Sequence, residues 1–343
     1  MQVMGGTGYS QESLVEYCFR KSRGWQIAGG STEMMKNRIA EDIFERRFSQ
    51  RPNEWFLIMI DVSLSQSFLN PKSVAIIGAS ADPKKTSSRA QRFLVSHGYK
   101  GKIFPVNPNR EEIFGLKCYP NLKSINEHID HIFVAVNGNK IIEAIKDAIS
   151  KKVRCATILS GGFSETGCEG NDLEKHVFKI AKKGDLRILG PNSIGLINIS
   201  DNVILSANAM LELQDLKKGS LGVISHSGSL IGALLAHGHS RGIGFSKLVS
   251  VGNESDLSVG EIGKMLVNDP NTESIILFLE TLRNSDEVAD MSRMAHAAGK
   301  QIICYKLGKS ELGKELAKSH TGAIAGNDDA FNAFINYYGI ARV

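Results

Sequence analysis

The stretch SVAIIGAS, residues 73–80, decides the fold. Val74 to Ile77 are apolar without a break, and the run stops at Gly78, Ala79 and Ser80. A short apolar run without polar alternation suits a strand buried on both faces, and a glycine at its end allows a tight turn into a helix. The segment SSRAQRFLVSHG (87–98) then carries helical period, and the unit recurs. KIFPVNP (102–108), HIFVAV (131–136), CATILSGG (155–162) and LRILGPN (186–192) are runs of the same kind, with the helical NKIIEAIKDAISKK (139–152) among them. This alternation predicts a doubly wound parallel βαβ arrangement. After a link near 200–218 a second series begins, with strands in GSLGVISHSGSL (219–230), FSKLVSVGN (245–253), ESIILFLE (273–280) and KQIICYKLG (300–308). Its helices are predicted in LIGALLAHGHSRG (230–242), VGEIGKMLVND (259–269) and SDEVADMSRMAHAAG (285–299).

The fold class is therefore α/β, with two α/β domains at 71–200 and 201–343. Residues 1–52 lack strand alternation and read as helical, and 53–70 reads as a linker. In STEMMKNRIAEDIFERRF (31–48), Ser31 or Thr32 is a candidate cap, and Met34, Met35, Ile39, Ile43 and Phe44 recur at helical spacing.

Composition agrees. The 343 residues include 34 glycines, 42% hydrophobic, 22% charged and only 7% aromatic residues, which favours tight strand-to-helix turns over an all-β sandwich. The net charge of +5 is spread along the chain, so no nucleic-acid surface is expected. Cys18, Cys118, Cys155, Cys168 and Cys304 are far apart with no metal spacing, and read as reduced thiols. WFLIMI (55–60) is the most apolar stretch and is far below the roughly 20 residues of a membrane span. The expectation is a cytoplasmic protein that binds no metal and no membrane.

Several loops could carry chemistry. The loop after the first strand contains Gly78 but lacks GxGxxG, so a nucleotide-like ligand with a pyrophosphate fits it better than a dinucleotide; a plain structural turn competes. FPVNPNR (104–110) places Asn107 and two prolines where an NAD enzyme would place a ribose-binding acid. It reads as a rigid wall against a ribose phosphate or as a proline-rich turn. In ISHSGSL (224–230), Ser225, Ser227, Gly228 and Ser229 precede a helix and suit an oxyanion or phosphate nest; a serine nucleophile is the rival, without the full GxSxG. Glu280 ends a buried strand and could orient a histidine or cap the next helix. His320 lies beside Thr321, Gly322 and Ala323, small residues that leave an imidazole open to a phosphoryl group.

SVAIIGAS, PVNP, SGGFSE, GPNSIG, ISHSGS, SVGNESD and KSHTGAIAG occur in an order that resembles the α-subunit of nucleoside-diphosphate-forming acyl-CoA synthetases. These are the ADP-forming acetate–CoA ligases, relatives of succinyl-CoA synthetase, and the resemblance spans about residues 68–343. It implies a CoA-binding Rossmann-like domain followed by a flavodoxin-like succinyl-CoA-synthetase-type domain. CoA would contact Gly78, Ala79, Ser80, Val106, Asn107, Pro108, Val136, Asn137, Gly162, Phe163 and Asn192. His320 would carry a phosphohistidine, Glu280 would orient it, and Ser225, Ser227, Gly228, Ser229 and Gly322 would hold its phosphate. The resemblance further implies acyl-CoA as substrate, and ATP or ADP with Mg2+ on an ATP-grasp β-type partner. Because the chain ends at INYYGIARV, the expectation is that turnover needs that partner, in a hetero-oligomer or a homo-oligomer. The rival is a CoA-binding relic without catalysis.

The front of the chain differs. Residues 2–44, with GGTGY and GGSTE, resemble the C-terminal helices of acyl-CoA dehydrogenases. That family's catalytic glutamate would fall at Gly29, and no FAD is expected on this fragment, which reads as a remnant of a gene fusion.

Overall fold

The computed structural model describes residues 61–307 and 328–343. Its first sheet is parallel, with strands β1 (Ser73–Ile77), β2 (Lys102–Val106), β5 (His131–Val134), β6 (Cys155–Ile158) and β7 (Arg187–Leu189) in the order β2-β1-β5-β6-β7. β3 (Glu112–Ile113) and β4 (Leu116–Lys117) form a small hairpin apart from it. β1, β5 and β6 are buried at every position, which explains why their sequences do not alternate. Side chains nevertheless divide between the two faces with period two. Ala75, Ile77, Ile132 and Val134 join one apolar cluster, while Val74, Ile76 and Phe133 join another.

Helices α2 (Thr86–Ser96), α3 (Asn139–Ser150) and α4 (Cys168–Lys183) cover these faces. α3 buries Ile141, Ala144, Ile145 and Ala148, an i, i+3, i+4, i+7 stripe that lies in the cluster with Ile132 and Val134. Full burial of Ile145 contributes about 2 kcal/mol. α2 brings Ala90 and Leu94 to the other cluster.

The second sheet runs β14-β13-β12-β10-β11-β8-β9. β10 (Lys218–Ser225), β11 (Phe245–Ser250), β12 (Ser274–Leu279), β13 (Gln301–Lys306) and β14 (Ala341–Arg342) are parallel. β8 (Gly195–Asn198) and β9 (Val203–Ser206) add an antiparallel edge. Helices α5 (Gly228–Ser240), α6 (Val259–Asn268) and α7 (Ser285–Ala297) connect the parallel strands. α6 opens on a reciprocal capping box between Ser258 and Glu261. α6 and α7 approach closely: a Cβ on Gly260 would lie 2.3 Å from the Glu287 backbone, and one on Gly263 would lie 1.9 Å from Met291 Sδ. α8 (Asp328–Tyr337) carries Asp328 and Asp329 in its first turn, where the helix dipole favours negative charge.

Three expectations change. Within the stretch read as a linker, residues 62–69 form helix α1 (Val62–Leu69), capped by Asp61, with Phe68 fully buried. The link near 200–218 contains β9 and a 3-10 turn at Ala209–Glu212. The division at 200/201 falls inside the β8–β9 ladder, so the change of sheet comes earlier, at the turn after β7. Two short strands with a four-residue turn lack any compositional break, which is why the sequence hid this. The helices read in residues 1–52 lie outside the described residues. Among the described residues Cys118, Cys155, Cys168 and Cys304 are free, and no helix is long and apolar enough to cross a membrane.

Candidate functional site

Both sheets share one topology around the first of their parallel strands, β1 and β10. In each, the chain leaves the first strand to one side and returns on the other, which gives the orders β2-β1-β5 and β11-β10-β12. Loops diverge at such a switch point, and the carboxyl edge there is where open α/β sheets hold ligands.

At the first switch point Gly78 follows β1 with φ +82° and donates its N–H to the Val106 carbonyl at 2.9 Å. A Cβ there would lie 2.6 Å from Val136 Cγ1 and 3.0 Å from the Ala135 carbonyl oxygen. Only glycine suits both that conformation and that approach. Asn107 Nδ2 donates to the Ala79 carbonyl at 2.8 Å, joining the loops after β1 and β2, while its Oδ1 accepts from the Asn109 amide. Ser160 Oγ donates to the Val136 carbonyl at 2.6 Å, and the Asn192 amide donates to the Ser160 carbonyl at 3.1 Å. The loops after β1, β2, β5, β6 and β7 thus form one continuous edge that holds every residue assigned to CoA. Ser80, Asn107 and Val136 are half-buried, and Pro108, Asn137, Gly162 and Asn192 are exposed. Ala79, Val106 and Phe163 are buried, and the Phe163 ring sits in the core with Val134 and Ile158.

The sequence reading missed a carboxylate at this edge. Glu165 Oε1 accepts from the amides of Gly162 and Phe163 at 2.7 and 3.2 Å, and Oε2 accepts from Asn253 Nδ2 at 2.6 Å. Partial burial works to raise its pKa, but the hydrogen bonds from Asn253 and the two amides outweigh it and hold the carboxyl below its ordinary value. Asn253 belongs to the loop after β11, whose backbone also bonds Pro191 and Gly190. Further contacts between the two halves run from Ser255 to Glu174 and from Arg187 to Asp256 and Glu261.

At the second switch point β10 ends at Ser225, and Ser227 caps α5, its Oγ accepting from the Leu230 amide at 3.4 Å. Ser227 Oγ also lies 3.0 Å from Ser229 Oγ. Ser225 is fully buried, and its hydroxyl donates to the Ser227 carbonyl at 2.9 Å while accepting from the Ser227 amide. Ser225 therefore shapes the loop, while Ser227, Gly228 and Ser229 hold the more accessible positions at the helix start. The amides of this turn and the helix dipole suit an anion.

His226 lies between Ser225 and Ser227 and is buried, with 6% of its surface exposed. Its Nε2 lies 2.9 Å from Glu254 Oε2, and its Nδ1 accepts the backbone N–H of Glu280 at 3.1 Å. A carboxylate accepts and an amide donates, so the ring carries its proton on Nε2. Glu254 has φ +52°, and its Oε1 accepts from the Val259 amide at 2.7 Å. Glu280 is buried, with 5% of its surface exposed. The structure thus brings Glu280 to the start of α5 through an imidazole. His226 and Glu254 stood inside ISHSGSL and SVGNESD, but nothing in either stretch signalled that they meet. His320 and Gly322 lie outside the described residues. Among the described residues no group of three or more His, Cys, Asp or Glu could hold a metal ion.

Comparison with known proteins places both halves. Residues 72–199 match the CoA binding domain and residues 218–343 the succinyl-CoA ligase like flavodoxin domain. Residues 1–44 match the acyl-CoA dehydrogenase C-terminal domain. The chain is 36% identical over 275 residues to an ADP-forming acetate–CoA ligase II of Archaeoglobus fulgidus, covering 80% of this chain and 40% of that protein. It is 34% identical over 281 residues to the α subunit of ADP-forming acetate–CoA ligase I of Pyrococcus furiosus, covering 81% of this chain and 60% of that one. The solved dinucleotide-forming acetyl-coenzyme A synthetase 1 of Ca. Korarchaeum cryptofilum, in complex with phosphate and ADP, superimposes with a TM-score of 0.75. It is 33% identical, with 81% of this chain and 59% of that chain covered. The chain therefore spans between 40% and 60% of the length of these relatives.

Proposed function

Because residues 72–343 join a CoA binding domain to a succinyl-CoA ligase like flavodoxin domain, an α-subunit-like region of the NDP-forming acyl-CoA synthetases, we propose that this chain is the α-type part of an ADP-forming acid–CoA ligase. CoA and acyl-CoA bind on the edge around Gly78, Asn107, Val136 and Asn192. Phosphate attacks the acyl-CoA carbonyl, the C–S bond breaks, CoA leaves as its thiol, and the acyl phosphate stays bound. His320 then displaces the carboxylate from phosphorus and becomes a phosphohistidine. Glu280 orients the His320 ring, and the amides at the start of α5 balance the phosphate charge. The phosphoryl group passes to ADP on an ATP-grasp β-type partner, which supplies the Mg2+ site, and the assembly is a cytoplasmic hetero-oligomer. In reverse, the same steps activate a carboxylic acid.

The observation that carries this reading is the second switch point, where a capped helix start and buried Glu280 are joined through one side chain. The test is incubation of the full chain with an ATP-grasp partner and ATP, followed by a count of acid-labile phosphate on the chain. About one phosphate per chain is expected, and none on His320→Ala. An unlabelled wild-type chain that still binds CoA would leave a CoA-binding protein without catalysis.

A further inference from the structure

Three loops meet at the carboxyl edge of the second sheet, and one ring touches all of them. The loop after β10 carries His226, the loop after β11 carries Glu254, and β12 hands over to its loop at Glu280. His226 Nε2–H donates to Glu254, and His226 Nδ1 accepts from the Glu280 amide. Glu254 is anchored in turn by the Val259 amide at the start of α6. The His226 backbone is fixed as well, its amide donating to the Phe278 carbonyl at 3.2 Å. Each partner accounts for one ring nitrogen, so the imidazole has one orientation and one tautomer in which both bonds exist.

Packing alone does not account for a histidine here. A leucine would fill the volume and leave the Glu254 carboxylate and the Glu280 amide buried without that partner, and both losses are costly. What the ring adds is directional: it sets the backbone of Glu280 relative to the first turn of α5, which begins two residues after His226 along the chain. Those are the two elements between which the proposed phosphoryl transfer takes place.

We propose that His226, held by Glu254, is a positioning residue for phosphoryl transfer, fixing Glu280 against the anion-binding start of α5 by one hydrogen bond to its backbone amide. The inference rests on the function proposed above and deepens it: His226 acts through Glu280 and does not itself meet the phosphate. Glutamine is the informative replacement. Its amide NH2 can donate to Glu254 and its carbonyl can accept from Glu280, so both bonds survive without an imidazole.

The test uses the full chain with radiolabelled acetyl phosphate as the phosphoryl donor, so no partner subunit is needed. The single-turnover labelling rate is measured at saturating donor for wild type, His226→Gln, His226→Leu and His320→Ala, and CoA affinity is measured in parallel by calorimetry. His226→Leu is expected to lose about 100-fold in labelling rate and His226→Gln less than about tenfold, with CoA affinity unchanged in both. Hydrogen exchange at the Glu280 amide supplies a second readout: slow in wild type and His226→Gln, and at least about tenfold faster in His226→Leu. In wild type, the 15N shifts of the ring should report a protonated Nε2. Labelling of His226→Leu at the wild-type rate, or a ring protonated on Nδ1 alone, overturns the inference. A wild-type chain that takes no label overturns the phosphoryl-transfer reading itself. In that event the role in phosphoryl transfer falls with it, and the exchange decides only whether His226 fixes the Glu280 backbone: unchanged exchange in His226→Leu overturns that hold, and faster exchange upholds it.

Discussion

Each half of the molecule buries a histidine, and the two are used in opposite ways. His131 opens β5 at the amino edge of the first sheet, its Nδ1–H donating to the Ser67 carbonyl at 3.3 Å and its Nε2 accepting from Thr157 Oγ1 at 2.8 Å. It stacks on Phe68 with ring centroids 6.0 Å apart, pinning α1 to the sheet. His226 follows β10 at the carboxyl edge and carries its proton on the other nitrogen, toward a carboxylate. One ring closes a neutral packing interface, and the other holds a buried acid and the backbone of a second. The topology shared around β1 and β10 therefore leaves function open. What decides it is which edge of the sheet a polar group occupies, because loops diverge only at the carboxyl edge of a switch point.

That contrast can be broken most severely in the second half, which buries full charges. Lys247 is 2% exposed and pairs with Asp269 at 2.7 Å. Lys247→Met leaves Asp269 buried without that cation and should cost about 3–5 kcal/mol in denaturant unfolding, whereas a second half that tolerates the change would remove the difference in buried charge between the halves. The first half responds to pH through His131, whose pKa burial lowers from 6.5 to about 4. The folded ring resists protonation, so its stabilisation is complete above the unfolded value of 6.5 and is lost as pH falls toward 4. The loss should approach roughly 3 kcal/mol between those limits, visible in thermal unfolding, and His131→Gln should flatten that slope.

Gly78→Ala sharpens the comparison by disabling one switch point alone. The left-handed backbone at φ +82° and the contact with Val136 should cost about 2 kcal/mol in stability and weaken CoA binding at least about tenfold by calorimetry. Phosphorylation from acetyl phosphate should continue. The smallest effect belongs to Ser227→Ala, which removes the cap of α5 and should lower stability by about 1 kcal/mol with slower labelling and intact CoA binding.

Much of the scaffold was legible because burial on both faces removes polar alternation from a strand. Ser73–Ile77 and His131–Val134 announced themselves that way. β8 and β9 are also buried at every position, but at four residues each, with no helical segment between them, they were absorbed into a domain end and a link. Helix α1 was hidden in a linker because eight residues with few charges show little period, although Phe68 proves fully buried. At the site, loops after strands were readable from Gly, Asn and Ser at their starts. Glu165 was not, since its worth comes from Asn253, 88 residues away.

The sequence by itself determined the strand-and-helix alternation, the glycine at the end of the first strand, and the motifs on which the resemblance to acyl-CoA synthetases rests. Local physics suffices there, because each depends on a residue and its near neighbours along the chain. Only the tertiary structure decided that His226 meets Glu254 and Glu280, 28 and 54 positions away. Such a contact exists because parallel strands bring their carboxyl ends to one edge, and nothing within any single loop encodes which side chain will face it.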